Sequence, residues 1–484
     1  MEPLNRTTVK DLPTLPLRIM QFGGGNFLRA FVGLMVQILN EKANFDGAIA
    51  IIKPTERGDY QKLKSQDGLF TVVLDGIKAG ESIAEKKLVT CVQQIINPYI
   101  EWRQYLDLSK EADMRFIVSN TTEAGIKFNP TDGYTDVPPN EFPAKLTVWL
   151  HHRYLHFNAD PSKGCILLPC ELIEQNGTTL KQSILDYADY WALDDGFKKW
   201  IDESNYFCNT LVDRIVSGHP IDRAEKIQSE IGFKDDLLVA GEYYHSWVID
   251  GPDLVQAELP FAKTDLNVKF VNDLSPYREM KVRILNGAHT AMVPVGYLCG
   301  FRLVNDAIED IEINNFVESM LLTEVCKTLD FEEATKHAFV RDVLDRFRNP
   351  VLKHQLISIA LNSTSKFVTR LLPTLKDYLA LEKKLPMHFV FAFSALILFY
   401  KGKWNNEKIE LNDNYQVLDF FDTLWKDFEA KKVDLSEMVQ AILGNQAIWG
   451  EDLNAIQGLS EQVIVYIKAI QKQGIRASLQ SIQA

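Results

Sequence analysis

The stretch LRIMQFGGGNFLRAFVGLMVQILNE, residues 17–41, decides the fold of the N-terminal half. A short apolar run at 17–22 leads into three glycines, after which apolar residues recur at Phe27, Phe31 and Leu34 with nearly the period of a helix. A strand, a glycine turn and a helix open a nucleotide-binding βαβ unit. The apolar run at 48–53 follows where the adjacent parallel strand is expected, and further strands are predicted at 71–76, 114–125 and 164–173.

From about residue 280 onward the apolar residues follow a helical period instead. The apolar run at 387–400 is 14 residues long, too short to span a bilayer, and predicts a buried helix. The fold class is therefore an α/β N-terminal Rossmann-like domain, residues 1–279, followed by a mostly α-helical C-terminal domain, residues 280–484.

The composition excludes several classes of partner. A formal net charge of −13 repels nucleic acid and anionic membranes, so an anionic substrate needs a local basic pocket. The six cysteines form no CxxC pair and no Cys/His cluster with zinc spacing, which predicts reduced thiols and no metal site. No apolar signal segment stands near the N-terminus, so a cytoplasmic protein is expected.

The glycine turn fits a phosphate-binding motif incompletely. Gly23 and Gly25 occupy the first two glycine positions of GxGxxG, whereas Leu28 occupies the third, so a simple glycine-rich connection is the alternative. Arg29 is expected either to contact the phosphates or to be a solvated helix arginine. Lys53 stands after the second strand, where an acidic residue usually binds the ribose, which leaves NADP open beside NAD.

The segment REMKVRILNGAHTAMVPV, residues 278–295, contains a KxxxxNxxH pattern formed by Lys281, Asn286 and His289. In an α-helix, Asn286 and His289 are i, i+3 neighbours and Lys281 lies about 80° from His289 around the axis. Hydride transfer to a ketone leaves an alkoxide, to which a lysine can supply a proton while amide and imidazole groups donate hydrogen bonds. The alternative is a surface lysine, a helix irregularity and a core histidine.

Five motifs in order carry a resemblance to a known family: FGGGNFLRAF at 22–31, QDGL at 66–69, TEAG at 122–125, NTLVDR at 209–214 and the KxxxxNxxH pattern. Over nearly its whole length the chain resembles the polyol-specific long-chain dehydrogenase/reductase family, which includes mannitol dehydrogenases and hexuronate reductases. In that family's turn, Phe27 and Arg29 replace the third glycine as landmarks.

The resemblance implies a cofactor and roles for particular residues. The cofactor is NAD, bound by Gly23, Gly25, Asn26, Phe27, Arg29, Thr122 and Glu123. Lys281 is implied as the catalytic acid/base, with Asn286 and His289 polarising the substrate carbonyl. Asp213 matches a position near the catalytic lysine, where a carboxylate can steer protons; an ion pair with Arg214 is the alternative.

The segments at 119–125, 169–177, 283–291 and 346–362 look like the subgroup that interconverts D-tagaturonate and D-altronate in hexuronate catabolism. A reductase acting on fructuronate and mannonate is the nearest alternative, followed by mannitol or arabinitol dehydrogenases. A non-catalytic NAD-binding regulator is a remote one, because it would have no use for Lys281, Asn286 and His289 together.

Two further expectations concern the sugar-acid substrate. Mannitol dehydrogenases carry an asparagine directly after a Cys-acid pair; here Leu172 follows Cys170-Glu171, and Asn176 is the candidate replacement. A substrate carboxylate also needs cations. The candidates are Arg346, Lys353, His354 and Lys366, together with Arg348 and Arg370, and for each a solvated surface charge is the alternative.

Overall fold

The computed structural model describes residues 1–122 and 124–483, which form two compact units. The first unit comprises Met1–Asp75 and Ile83–Leu274, and the second comprises Gly76–Ser82 and the chain from Ser275 onward.

A six-stranded parallel sheet organises the first unit. Its strands are β1 (Leu17–Phe22), β2 (Ala48–Ile52), β3 (Val92–Ile96), β4 (Phe116–Ser119), β5 (Ile166–Pro169) and β6 (Tyr206–Phe207). They lie in the order β3-β2-β1-β4-β5-β6, which is the doubly wound order of a dinucleotide-binding sheet. Every residue of β2 is buried because helices cover both faces of such a sheet. The predicted Rossmann-like fold is confirmed.

The other elements of this part of the chain lie outside that sheet. The remaining strands are Glu2–Pro3, Phe70–Lys78, Glu81–Val89, Asn209–Asp213, Val216–Gly218, Phe233–Lys234, Val239–Glu242, Ser246–Asp250 and Val268–Val271. The α-helices are Asn26–Leu28, Leu34–Ala43, Gln61–Ser65, Trp102–Asp107, Phe142–His156, Asn176–Tyr190, Asp195–Ser204, Ala224–Ile231 and Asp253–Glu258. A π-helical segment, Arg29–Gly33, joins the first two helices, so the chain is continuously helical from Asn26 to Ala43.

The second unit is mostly helical, as predicted. Four helices matter for the site: α1 (Gly287–Leu298), α2 (Glu333–Phe347), α3 (Ser363–Arg370) and α4 (Met387–Phe399). The other α-helices are Ser275–Met280, Val304–Glu309, Ile311–Met320, Leu356–Ile359, Leu372–Glu382, Tyr415–Glu429, Leu435–Leu443, Gln446–Trp449, Leu459–Gln473 and Ile475–Gln483. A short hairpin pairs Lys403–Trp404 with Glu407–Lys408.

The core of the second unit forms around α4, which is buried at every position from Phe389 to Phe399. This confirms the buried helix predicted for the apolar run at 387–400. Within residues 1–122 and 124–483, no helix combines the length and the apolar character needed to cross a membrane.

Candidate active site

The turn after β1 has the backbone that its glycines allow. Gly23 has φ +117°, a conformation that residues with a side chain rarely adopt, and its N–H donates to the carbonyl of Ile52 over 3.0 Å. A Cβ at this position would lie 3.1 Å from Cδ1 of Leu28. The chain can therefore leave β1 this sharply only with glycine here.

Gly25 has a different reason to be glycine. Its backbone is ordinary, with φ −68° and ψ 169°, and a Cβ built there meets no heavy atom within 4 Å. Gly25 and Asn26 are exposed at the beginning of the helical stretch that runs to Ala43. The space beside Gly25 is thus open to a ligand, and helix N-termini favour anionic groups such as phosphates.

Arg29 is not a solvated helix arginine. Its side chain is 6% exposed and donates to the carbonyl of Gly24 over 3.2 Å, to Oδ1 of Asn26 over 2.7 Å and to the carbonyl of Leu237. Burial lowers its pKa to about 10, so the guanidinium stays charged at neutral pH. Arg29 stabilises the turn from within, and a contact with phosphates stays a prediction. Phe27 stacks on Phe31 with ring centroids 5.0 Å apart.

A buried carboxylate holds the ends of β4 and β5 together, and sequence reasoning did not single it out. Glu171 is 2% exposed and accepts hydrogen bonds from Oγ of Ser119 over 3.0 Å and from the N–H and Oγ1 of Thr121 over 2.8 and 2.9 Å. Thr122 follows as an exposed residue, and Glu123 lies outside the described residues. The carboxyl edge of β4 is therefore fixed where dinucleotides bind in this type of sheet.

The amide of Asn176 is fully occupied by the backbone. Its Nδ2 donates to the carbonyls of Pro169, Glu171 and Thr210 over 2.9–3.0 Å, while its Oδ1 accepts from the N–H groups of Gly177 and Thr210. The side chain is 1% exposed. We therefore revise the predicted substrate role of Asn176: the amide has no hydrogen left to donate, and it instead ties the ends of two strands to a helix.

Asp213 ends the strand Asn209–Asp213. The neighbouring Arg214 is buried and donates to the carbonyls of Ala30, Tyr243 and Tyr244, and burial lowers its pKa to about 10. The role predicted for Asp213 stays a prediction. Lys53 is also buried, with Nζ donating to the carbonyl of Glu56 over 2.8 Å.

In the second unit, the helix that carries Lys281 and Asn286 is wider than predicted. Lys281–Asn286 is a π-helical segment between Ser275–Met280 and α1. Its hydrogen bonds span five residues instead of four, so the spacing of 100° per residue does not hold across it. The offset of about 80° derived for an α-helix is therefore wrong, whereas Asn286 and His289 keep their i, i+3 spacing at the beginning of α1. Segments of this kind occur often at functional sites.

The imidazole of His289 lies between an aromatic ring and a group of cations. It stacks on Phe347 with centroids 4.1 Å apart and meets the ring of His354 edge-on at 5.6 Å. Its pKa is well below the usual value, first because the side chain is desolvated and then because of nearby positive groups. These groups are His354, Arg346, Arg370 and Lys366. Burial and the charge of Lys366 lower the pKa of His354 itself, so the cations beside His289 are Arg346, Arg370 and Lys366. His289 is therefore neutral at physiological pH and can donate one hydrogen bond.

The same cations include three of the predicted carboxylate ligands. Arg346 is buried in α2, and Lys366 is half-buried in α3, where Nζ donates to the carbonyl of Ile359 over 2.8 Å. Burial and the charge of Arg370 lower the pKa of Lys366, while Asp413 opposes that shift. Lys353 is exposed, and its predicted contact with the substrate carboxylate stays a prediction.

Arg370 also belongs to this group of cations. The sequence alone did not distinguish it from several other basic residues. Nη1 of Arg370 donates to Oγ1 of Thr290 over 3.3 Å, and Oγ1 of Thr290 donates to the carbonyl of Asn286 over 2.9 Å. Its pKa is lowered by burial. The signal in the sequence was the i, i+4 spacing of Lys366 and Arg370, which places both cations on one face of α3.

Two models of one protein family match the chain. The mannitol dehydrogenase Rossmann domain matches residues 17–263, and the mannitol dehydrogenase C-terminal domain matches residues 273–471. The chain belongs to the mannitol dehydrogenase family, whose fold and site are those of an oxidoreductase acting on CH–OH groups.

Relatives that match the chain over its full length have names that specify a substrate, beyond the family. The altronate oxidoreductase of Bacillus subtilis (strain 168) is 44% identical over 480 residues, covering 99% of this chain and 98% of that protein. The altronate oxidoreductase of Yersinia enterocolitica (serotype O:8 / biotype 1B) is 43% identical over 482 residues, covering 99% of both chains.

Solved structures share the fold. A D-sorbitol dehydrogenase in substrate-free form matches with a TM-score of 0.76 and 23% identity, covering 98% of this chain and 100% of that one. The Pseudomonas fluorescens mannitol 2-dehydrogenase in a ternary complex with NAD and D-mannitol matches with a TM-score of 0.63 and 19% identity, covering 97% and 94%.

Proposed function

We propose that this protein is an NAD-dependent reductase that interconverts D-tagaturonate and D-altronate in the cytoplasm, as a step of hexuronate catabolism. The names of the full-length relatives support the substrate pair. The assignment of a sugar-acid substrate depends on a single observation, which is the group of cations around the neutral His289.

The charged forms of the cations near His289 are stabilised less by their surroundings than they would be in water. The pKa values of Lys366 and Arg370 are both lowered, which means that the charged forms are less stable here than in water. A bound carboxylate offsets this cost by pairing with the cations, and arginine contacts a carboxylate through two parallel hydrogen bonds. A neutral polyol gains no such stabilisation. The chain has a net charge of −13, so this concentration of cations is not a reflection of overall composition.

Lys281 is the proposed acid/base. In the reductive direction, Nζ of Lys281 donates a proton to the substrate oxygen as the carbonyl becomes an alcohol, and it takes the proton back in the reverse direction. Asn286 and the neutral His289 donate hydrogen bonds to the same oxygen, where negative charge develops. Asp213 is proposed to steer protons to and from this lysine.

The glycine turn fits a dinucleotide cofactor. Gly25 leaves open space where a pyrophosphate is expected to approach, and the N-terminus of a long helical stretch lies beside it. Gly23, Gly25, Asn26, Phe27, Thr122 and Glu123 would contact the cofactor, with Arg29 supporting the turn. When bound, NADH supplies the hydride. We accordingly propose residues 1–279 as the cofactor-binding domain and 280–484 as the substrate-binding and catalytic domain.

The test follows NADH absorbance with purified protein and D-tagaturonate, beside D-fructuronate, D-fructose and an NADPH control. Fast oxidation of NADH with D-tagaturonate alone supports the reaction, the substrate and the cofactor together. A clear preference for D-fructuronate would refute the substrate pair and leave the sugar-acid class intact. Turnover of D-fructose at a rate similar to the uronates would refute the charge argument.

A further inference from the structure

The N-terminus of α3 is not capped by the side chain of its own N-cap residue. The N-cap residue, Asn362, has a left-handed backbone with φ 53° and makes no side-chain hydrogen bond to the first turn. The first N–H groups of a helix need partners, and a helix end without them is unstable. A side chain from elsewhere in the chain can satisfy them.

Asp413, which lies 49 residues beyond Thr364, supplies that partner. Its Oδ2 accepts from the N–H of Thr364 over 3.3 Å and from Oγ1 of the same residue over 2.9 Å. The hydroxyl of Tyr400, which follows α4, donates to the same oxygen. The other oxygen of Asp413 accepts from the N–H of Asn414 over 2.7 Å. A carboxylate at this end is also favoured by the helix dipole.

The same helix carries two of the cations beside His289, and it is short. α3 has eight residues, and Lys366 and Arg370 lie four positions apart on it. Phe367 fixes one face by stacking on Phe393 of α4 with centroids 4.2 Å apart. Phe367 also meets Trp449 edge-on at 5.6 Å, and Arg370 at the other end donates to Thr290. At the N-terminal end, the N–H of Asn362 donates to the carbonyl of Asn412 over 2.9 Å, and the carboxylate of Asp413 is the side chain that binds the first turn.

We propose that Asp413 is a positioning residue that anchors the N-terminus of α3 through Thr364 and Tyr400 and so holds Lys366 and Arg370 where they bind the substrate carboxylate. The inference rests on the sugar-acid substrate proposed above. On this proposal, Asp413 contributes to substrate specificity without touching the substrate. The loop before Tyr415–Glu429, which contains Asp413, thereby influences the affinity for sugar acids.

The test compares Asp413→Asn, Thr364→Val and the double variant with the wild type. We expect Asp413→Asn to raise KM for the keto-uronate about fivefold or more, which is the fold-change equivalent to the roughly 1 kcal/mol of helix stability that a lost cap costs. The values of kcat and of the dissociation constant for NADH should stay within about twofold of wild type. If the two residues act as one connection, Thr364→Val raises KM in the same way and the double variant is no worse than Asp413→Asn. Asp422→Asn, which removes an exposed ion pair with Lys426, is the matched control and should leave KM unchanged.

An unchanged KM in the single variants would overturn the proposal even if their melting temperatures fall, because the cap would then stabilise the fold alone. Additive effects of the two substitutions would also overturn the connection through Thr364. If Asp413→Asn does not fold, the KM of Thr364→Val decides by itself. A wild type that prefers another substrate over D-tagaturonate refutes the proposed function only, and the variants are then compared on that substrate.

Discussion

Replacing Gly25 with alanine should separate cofactor binding from folding. The residue has φ −68°, which alanine adopts without strain, and the added Cβ meets no heavy atom within 4 Å. Substituting glycine at a compatible position stabilises a protein by about 0.4–1 kcal/mol, because the unfolded chain loses freedom. We therefore expect Gly25→Ala to be as stable as wild type or slightly more stable. The same methyl group fills the space where the pyrophosphate is expected, so the affinity for NADH should fall at least tenfold, or about 1.4 kcal/mol.

Urea unfolding and a fluorescence titration with NADH measure the two quantities on the same preparation. Gly24→Ala is the matched control, since its Cβ would lie 2.7 Å from Cδ1 of Leu63 and 3.1 Å from the ring of Tyr60. Crowding of this kind costs about 1–3 kcal/mol of stability. Unchanged affinity for NADH in Gly25→Ala would refute the turn as the phosphate site. A loss of stability as large as in Gly24→Ala would refute the argument from open space.

Four further outcomes are expected. Lys281→Ala should lower kcat about 10²- to 10⁴-fold while sparing NADH binding, and a near-normal rate would remove Lys281 from the mechanism. Arg370→Met should raise KM for the keto-uronate roughly tenfold or more in steady-state assays, since a charged hydrogen bond is worth about 1.5–3 kcal/mol; an unchanged KM would exclude Arg370 from carboxylate binding. Asn176→Ala should lower the free energy of unfolding by about 2–4 kcal/mol, because buried carbonyls lose their donor, without a selective change in KM for the sugar acid. Burial lowers the pKa of Lys145 from 10.5 to about 8, so the unfolded chain binds more protons than the folded chain between these pH values. In urea unfolding, the stability of the wild type should therefore rise by about 3 kcal/mol from pH 8 to 10.5 relative to that of Lys145→Met. Parallel pH profiles of the two proteins would contradict this.

Local sequence patterns were sufficient for the fold because its central elements are regular. The strand β2 is apolar and buried throughout, and β1 is buried from Ile19 to Phe22. The glycines between β1 and the following helix specify a turn with positive φ at Gly23. The apolar run at 387–400 likewise has only one stable placement, the interior. In each case the deciding interactions lie within a few residues of one another.

The parts of the site that depend on distant contacts were not predictable in this way. The asparagine at 176 resembled a substrate ligand in sequence, yet its partners come from strand ends before and after it. Arg370 gained its place from packing beside Thr290, 80 residues earlier. The π-helical segment at Lys281 was missed because the KxxxxNxxH pattern fits either kind of helix, and the choice depends on how the flanking helices pack.

The π-helical segment Lys281–Asn286 also indicates how this part of the chain can change in evolution. A π turn is what one inserted residue produces in an α-helix whose two ends are held by packing, and here Met280, Ile284 and Leu285 are buried along it. Deleting one residue between 281 and 286 would restore regular hydrogen bonding with the flanking helices in place, and it would change the directions of the side chains within the segment, Lys281 and Asn286 included. A relative that lacked this single residue could keep a lysine, an asparagine and a histidine in its sequence and still present the lysine in another direction. Counting residues across this turn is therefore as informative about relatives of the chain as checking which residues they retain.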